Sequence, residues 1–240
     1  MTLKERPQAA FYHPAWNPEK EYLKLVVRDN CFDQAMGTDH WQYPPMADPW
    51  DVITMKVPTL KAIPIVDIIT LAATGSEYDR GGVISRTDTN DKLAYFSDLV
   101  FPAVSFIDPT YTFTLPVRQT LAGVSDCINH IMEQYFCGEH IMMNDSFMEG
   151  AIKSLMKNVR IVLEDPENYE ARAEIFYATT LGCNGIYSLG NSESGWPMHA
   201  IEHALSGHYD INHGEGLQPG SHCLRHITGN KLIQRSEERR

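Results

Sequence analysis

The stretch that most constrains this chain is Trp196–Leu217, WPMHAIEHALSGHYDINHGEGL, which carries four of the ten histidines: His199, His203, His208 and His213. Its counterpart lies about seventy residues upstream in GVSDCINHIMEQY, where Asp126 and His130 stand four apart. Residues at that spacing on a helix sit one above the other on the same face. Asp126 and His130 can therefore offer one carboxylate oxygen and one imidazole to a single ion. His199 and His213 can complete the set from a second helix and the turn behind it. One carboxylate with three imidazoles is a donor set for a divalent transition metal. A lone histidine is more often a packed core residue, so it is the joint spacing that carries this reading. His140, His208, His222 and His226 are not expected as ligands, and Glu202 reads as a helix-surface carboxylate.

Composition bounds what such a metal can serve. A chain of 240 residues suffices for one large or two small domains with a sizeable core. The formal net charge of −11 argues against nucleic acid or an anionic membrane as partner. No apolar run reaches the roughly 18 residues of a transmembrane helix, and MTLKERPQAAFYHPAW lacks the apolar core of a signal peptide. The five cysteines are odd in number and contain no C-x-x-C pair, which fits a reduced, cytoplasmic setting.

Along the chain, residues 1–47 read as an irregular arm, with prolines and aromatics recurring around one short helix-like run, Glu19–Arg28. Residues 48–115 read as the remnant of an α/β domain. Asp48–Asp51 is a turn, AIPIVDIIT (Ala62–Thr70) a buried strand, and Gly82–Arg86 and Leu93–Phe96 a hairpin closed by TDTND. A last strand spans Pro102–Ile107. The loop TLAATGSE after the first strand holds small residues and hydroxyls that can approach a phosphate or ribose closely. From Pro116 the texture becomes helical. Arg118–Phe136 carries an apolar face at Leu121, Val124, Ile128, Ile131 and Tyr135, and Met148–Leu163 another at Ile152, Leu155, Met156 and Val159. Asp165-Pro166-Glu167 reads as a capped helix start. Ala173, Phe176, Tyr177 and Thr180 read as core. Pro197 opens the histidine-bearing helix, and Gly207 is its expected end.

Three motifs, GVSDCINHIMEQY, WPMHAIEHALSGHYDINHGEGL and TLAATGSE, together resemble the iron-containing (group III) alcohol dehydrogenases, in the branch of butanol dehydrogenases and NAD(P)H-dependent aldehyde reductases. The similarity runs from about Asp48 to Leu217 and includes DPWD, ISRTDTNDK, FIDPTYTFTLP and LEDPENYEARAEIFYATT. It implies a fold of class α/β followed by all-α. A partial Rossmann-like nucleotide-binding domain over 48–115 precedes an all-helical metal-binding domain over 116–217. It implies that Asp126, His130, His199 and His213 hold Fe²⁺, with Zn²⁺ suited to the same ligands. It implies that His203 stands beside the nicotinamide and substrate and relays a proton. Thr70 and Thr74 would contact the NAD(P) cofactor, and Lys92 and Tyr111 would line its ribose and pyrophosphate. The partner implied is a small alcohol or aldehyde, with a homo-oligomer left open. The TLAATGSE loop argues against the lyase and hydrolase chemistries that related architectures carry.

Two departures stand out. The glycine-rich pyrophosphate turn of the family has no counterpart in residues 1–47. Residues 218–240, QPGSHCLRHITGNKLIQRSEERR, form an anomalous basic tail with five Lys/Arg against two Glu. The expectation is a chain truncated at both ends that binds little NAD(P)H and is poorly soluble or oligomeric.

Overall fold

In the computed structural model, residues 24–28, 41–42, 49–56, 61–62, 64–137, 139–191 and 195–217 are described. The basic tail, most of the N-terminal arm, His222 and His226 lie outside them. Two compact units form. Of the described residues, the first comprises those within 24–70, 77–84 and 93–107, and the second those within 71–76, 85–92 and 108–217.

The first unit is built on a three-stranded parallel sheet in the order β1 (Lys24–Arg28), β4 (Ile65–Ile69), β7 (Pro102–Ile107). Lys24–Arg28 pairs in register with Ile65–Ile69. The helical reading of Glu19–Arg28 is thus corrected over its last five residues. The adjacent β-branched Val26 and Val27 favour the pleated strand once a partner strand is present. The strand read as Ala62–Thr70 splits at Pro64, which has no N–H to give a ladder. Lys61–Ala62 (β3) instead pairs antiparallel with Trp41–Gln42 (β2). β4 alternates buried and half-buried positions, with Ile65, Asp67 and Ile69 inward. The expected turn at Pro49 is a short helix, α1 (Pro49–Ile53), since proline's fixed φ suits a first helical turn. Val52 and Ile53 pack with Ile65, Tyr95 and Val100 into the unit's core. The hairpin forms as β5 (Gly81–Arg86) and β6 (Asp91–Phe96), with Asn90 at φ 57° in its turn.

The second unit is helical: α2 (Val117–Cys137), α3 (Met142–Glu164), α4 (Tyr169–Cys183) and α5 (Pro197–Tyr209). Its core joins Val124, Cys127 and Ile131 of α2 to Met148, Leu155, Val159 and Val162 of α3 and Ala171, Ile175 and Ala178 of α4. The expected faces hold in part. Leu121 and Met156 stay largely exposed, and Tyr177 lies outward while Phe176 beside it is buried. Gln134 locks α2 to the end of α4, donating to the carbonyls of His130 at 2.9 Å and Gly182 at 2.7 Å. A side chain at Gly182 would meet Cys127 Sγ at 2.7 Å, so the two helices close here because the residue is glycine.

Two expected boundaries move. α4 starts after Asn168, whose side chain accepts from Ala171 N at 3.1 Å, whereas Asp165–Glu167 forms the preceding turn. Asn168→Ala is expected to lower stability by about 1 kcal/mol in urea unfolding. α5 runs through Gly207 to Tyr209, and Asp210 at φ 52° ends it. Gly207 serves packing: a Cβ there would sit 2.6 Å from the Asn90 carbonyl oxygen. Among the described residues, no helix is long and apolar enough to cross a membrane.

Candidate metal centre

Asp126, His130 and Glu133 recur at intervals of four and three along α2, so they share a face. On α5, His199, Glu202, His203 and Ser206 form the equivalent stripe. Residues 213–217 add one more helical turn after α5.

The structure brings the four sequence-predicted ligands together. Asp126 Oδ1 lies 3.2 Å from His130 Nε2, 3.6 Å from His199 Nε2 and 3.5 Å from His213 Nε2. Tetrahedral ligands about 2.1 Å from one ion are separated by about 3.4 Å, so these spacings suit the edges of such a polyhedron. Asp126 Oδ1 and His199 Nε2 are buried and accept or donate no hydrogen bond, which in a polar cluster is the mark of atoms that need a further partner. The His130 and His199 rings stack with centroids 4.7 Å apart, and Trp196 meets both edge-on.

Charge follows the geometry. Burial pushes the Asp126 carboxyl up, but His130, His213 and His199 together hold it below the usual carboxylate range. Burial drives His130 down to about 3, against the pull of Asp126. Burial opposes protonation of His199 as well, but the carboxylates of Asp126 and Glu133 raise it to about 9.

Two carboxylates stand behind the imidazoles. Glu133, fully buried, accepts from His199 Nδ1 and from Met198 N at 2.5 Å, so it also anchors the first turn of α5. Glu202 accepts from His213 Nδ1. It is 1% exposed, which corrects the expectation of a surface carboxylate: the turn at 213–217 and Lys92 cover it. Sequence reasoning missed Glu133, although its position seven after Asp126 and three after His130 was a usable signal. The turn carrying His213 is pinned by Gly214 against the Ala122 backbone, by Glu215 on Arg118 at 2.7 Å and by the fully buried Leu217.

His203 is not among the groups around Asp126 Oδ1. Its ring lies 5.5 Å from that of His213 and 6.1 Å from that of His199, and its buried Nε2 has no hydrogen-bond partner. Burial, reinforced by the neighbouring positive groups, lowers its pKa to about 3. His140 and His208, not expected as ligands, are exposed.

The four residues expected at the cofactor are distributed. Thr70 follows β4 and is half-buried. Thr74 is in the loop 71–76, where Gly75 at φ +67° would bring a Cβ to 2.8 Å from the Thr179 carbonyl oxygen. Tyr111 is half exposed on the 3₁₀ turn Pro109–Thr112. Lys92 points to α5, donating to Ser206 Oγ at 2.9 Å, with Glu202 Oε2 at 3.9 Å.

Known proteins with these features place the chain. A sequence profile described as iron-containing alcohol dehydrogenase matches residues 35–109, and the C-terminal profile of the Fe-containing alcohol dehydrogenase family matches residues 120–230. Together they extend past both Asp48 and Leu217. The chain is 43% identical over 171 residues to NADH-dependent butanol dehydrogenase A of Clostridium acetobutylicum, covering 71% of this chain and 44% of that protein. It is 38% identical over 177 residues to the NADPH-dependent aldehyde reductase YqhD of Escherichia coli, covering 73% and 46%. The crystal structure of NADH-dependent butanol dehydrogenase A from Thermotoga maritima superposes with a TM-score of 0.77 at 37% identity, covering 81% of this chain and 49% of that one. The chain thus spans about half the length of these relatives. With a small parallel sheet, a helical unit and both family profiles in succession, it belongs to the iron-containing alcohol dehydrogenase family.

Proposed function

We propose that this chain carries the metal centre of an alcohol dehydrogenase or aldehyde reductase that moves hydride between NAD(P)(H) and a primary alcohol or aldehyde. The observation that carries the reading is the gathering of three Nε2 nitrogens within 3.6 Å of one Asp126 oxygen. Asp126, His130, His199 and His213 hold the ion, Fe²⁺ or Zn²⁺. A divalent ion supplies Lewis acidity toward the substrate oxygen, and the nicotinamide supplies the hydride exchange. His203 is neutral at physiological pH because burial keeps it so, and its unpartnered Nε2 can accept the alcohol proton. Thr70, Thr74 and Tyr111 are assigned to the cofactor on the family pattern, whereas the Lys92 ammonium is engaged by Ser206 and Glu202 of α5. Glu133 accepts from His199 Nδ1, so the proton that an ion would displace leaves from Nε2, the nitrogen facing the site.

The test is metal content by mass spectrometry combined with NADH and NADPH oxidation by butanal. One ion per chain is expected, with turnover lost on chelation and restored by Fe²⁺ or Zn²⁺. His203→Phe is expected to lower kcat/KM by about 100-fold while metal content stays unchanged. A chain that takes up no stoichiometric metal would overturn the reading. The alternative reading is a metal centre without turnover. Bound metal with no oxidation of either nucleotide would support it.

A further inference from the structure

Glu202 stands out among the buried acids because of what surrounds it. Its carboxylate accepts from His213 Nδ1, and among the described residues it takes no backbone N–H. The turn at 213–217 is shaped around it: a Cβ at Gly216 would lie 3.0 Å from both Glu202 Oε1 and Cγ. On the other side, the Lys92 ammonium is 3.9 Å from Oε2 and donates to Ser206 Oγ, one turn along α5, at 2.9 Å. The Lys92 side chain is only 12% exposed. A buried carboxylate without a cation or donors is costly; here an ammonium and an imidazole N–H serve Oε2, while Oε1 takes no hydrogen bond. Glu202, His203 and His213 also bring ligand atoms within 4.8 Å of one another, a spacing that suits a cation, and Lys92 provides the positive charge at that place.

An imidazole that donates from Nδ1 leaves a bare lone pair on Nε2. In His213 that nitrogen lies 3.5 Å from Asp126 Oδ1, on the side of the ligand cluster. We propose that Glu202, braced by Lys92 and Ser206, is the positioning residue that fixes the His213 ring as its Nδ1–H tautomer and aims Nε2 at the ion. Lys92 thereby acts on the metal centre through Glu202. The inference rests on the metal-centre reading above. Glu133 fixes His199 in the same manner but also anchors the start of α5, whereas Glu202 is dedicated to the ligand.

Co²⁺ titration followed by visible absorption, together with ¹⁵N shifts of the metal-free histidines, tests this. Wild-type protein is expected to bind Co²⁺ one to one and to hold His213 as a single tautomer. Glu202→Leu is expected to weaken Co²⁺ binding by about 10–100-fold and to mix the tautomers. Glu202→Gln keeps an acceptor and is expected to restore the tautomer and part of the affinity. Lys92→Met is expected to change Co²⁺ affinity in the wild-type background but not in Glu202→Leu, while the exposed Lys153→Met changes it in neither. If Glu202→Leu fails to fold, Gly216→Ala takes its place, since it crowds the carboxylate without removing it. A folded Glu202→Leu or Gly216→Ala variant with wild-type affinity and tautomer overturns the proposal. Wild-type protein that ignores Co²⁺ overturns the metal-centre reading instead.

Discussion

Asp126→Asn is expected to weaken divalent-metal binding by more than about 100-fold, because changes to groups that merely support ligands already cost about 10–100-fold. The substitution keeps the shape of a 2%-exposed side chain and removes the one charge shared by His130, His199 and His213. Zn²⁺ competition against a chromophoric chelator measures the loss, and affinity within a few-fold of wild type would falsify the ligand assignment. The same variant makes a pH-dependent prediction for the chelated protein. The folded pKa of His199, raised to about 9 from 6.5, means that its attraction to Asp126 and Glu133 stabilises the fold fully below about pH 6.5. That contribution fades as pH rises through about 9. Urea unfolding should therefore show the Asn variant losing most stability near pH 6 and little near pH 10. An equal loss at both pH values would contradict this.

Gly214→Ala is the second large effect. A Cβ at residue 214 would sit 2.7 Å from the Ala122 carbonyl carbon and closer still to its oxygen. The obstacle is the backbone of α2, which cannot yield as a flexible side chain does. The turn at 213–217 must lift instead, against the Arg118–Glu215 ion pair and the buried Leu217. A cost of about 2–3 kcal/mol is expected in the metal-free chain, the scale of overpacking in a close-packed interior. His213 rides on the same turn, so Zn²⁺ affinity should fall with stability. Wild-type stability together with wild-type affinity would show that the turn accommodates the methyl group without moving.

Local patterning made much of this protein legible. Pro102–Ile107 forms as read, and α2 departs by one residue at each end. The i, i+4 pair at Asp126 and His130 lies on one face because helix geometry allows nothing else. Less was legible where a partner decides. Lys24–Arg28 becomes a strand because a parallel neighbour takes up its backbone groups. Gly207 looks like a helix end, yet the helix continues to Tyr209, and the glycine instead leaves room for an approaching carbonyl remote in sequence.

The two glutamates draw the same line inside the candidate metal centre. Spacing alone puts Glu133 on the face of Asp126 and His130, and Glu202 beside His199. It says nothing about what covers that face. A carboxylate on an uncovered helix is a solvated charge worth little. Buried against an imidazole Nδ1 it orients a ligand. The sequence by itself determined which side chains share a helix face, Asp126 with His130 and His199 with His203, since that follows from helical period. Only the tertiary structure decided which acids are buried behind them, since burial depends on elements brought together from 65 and 114 residues away.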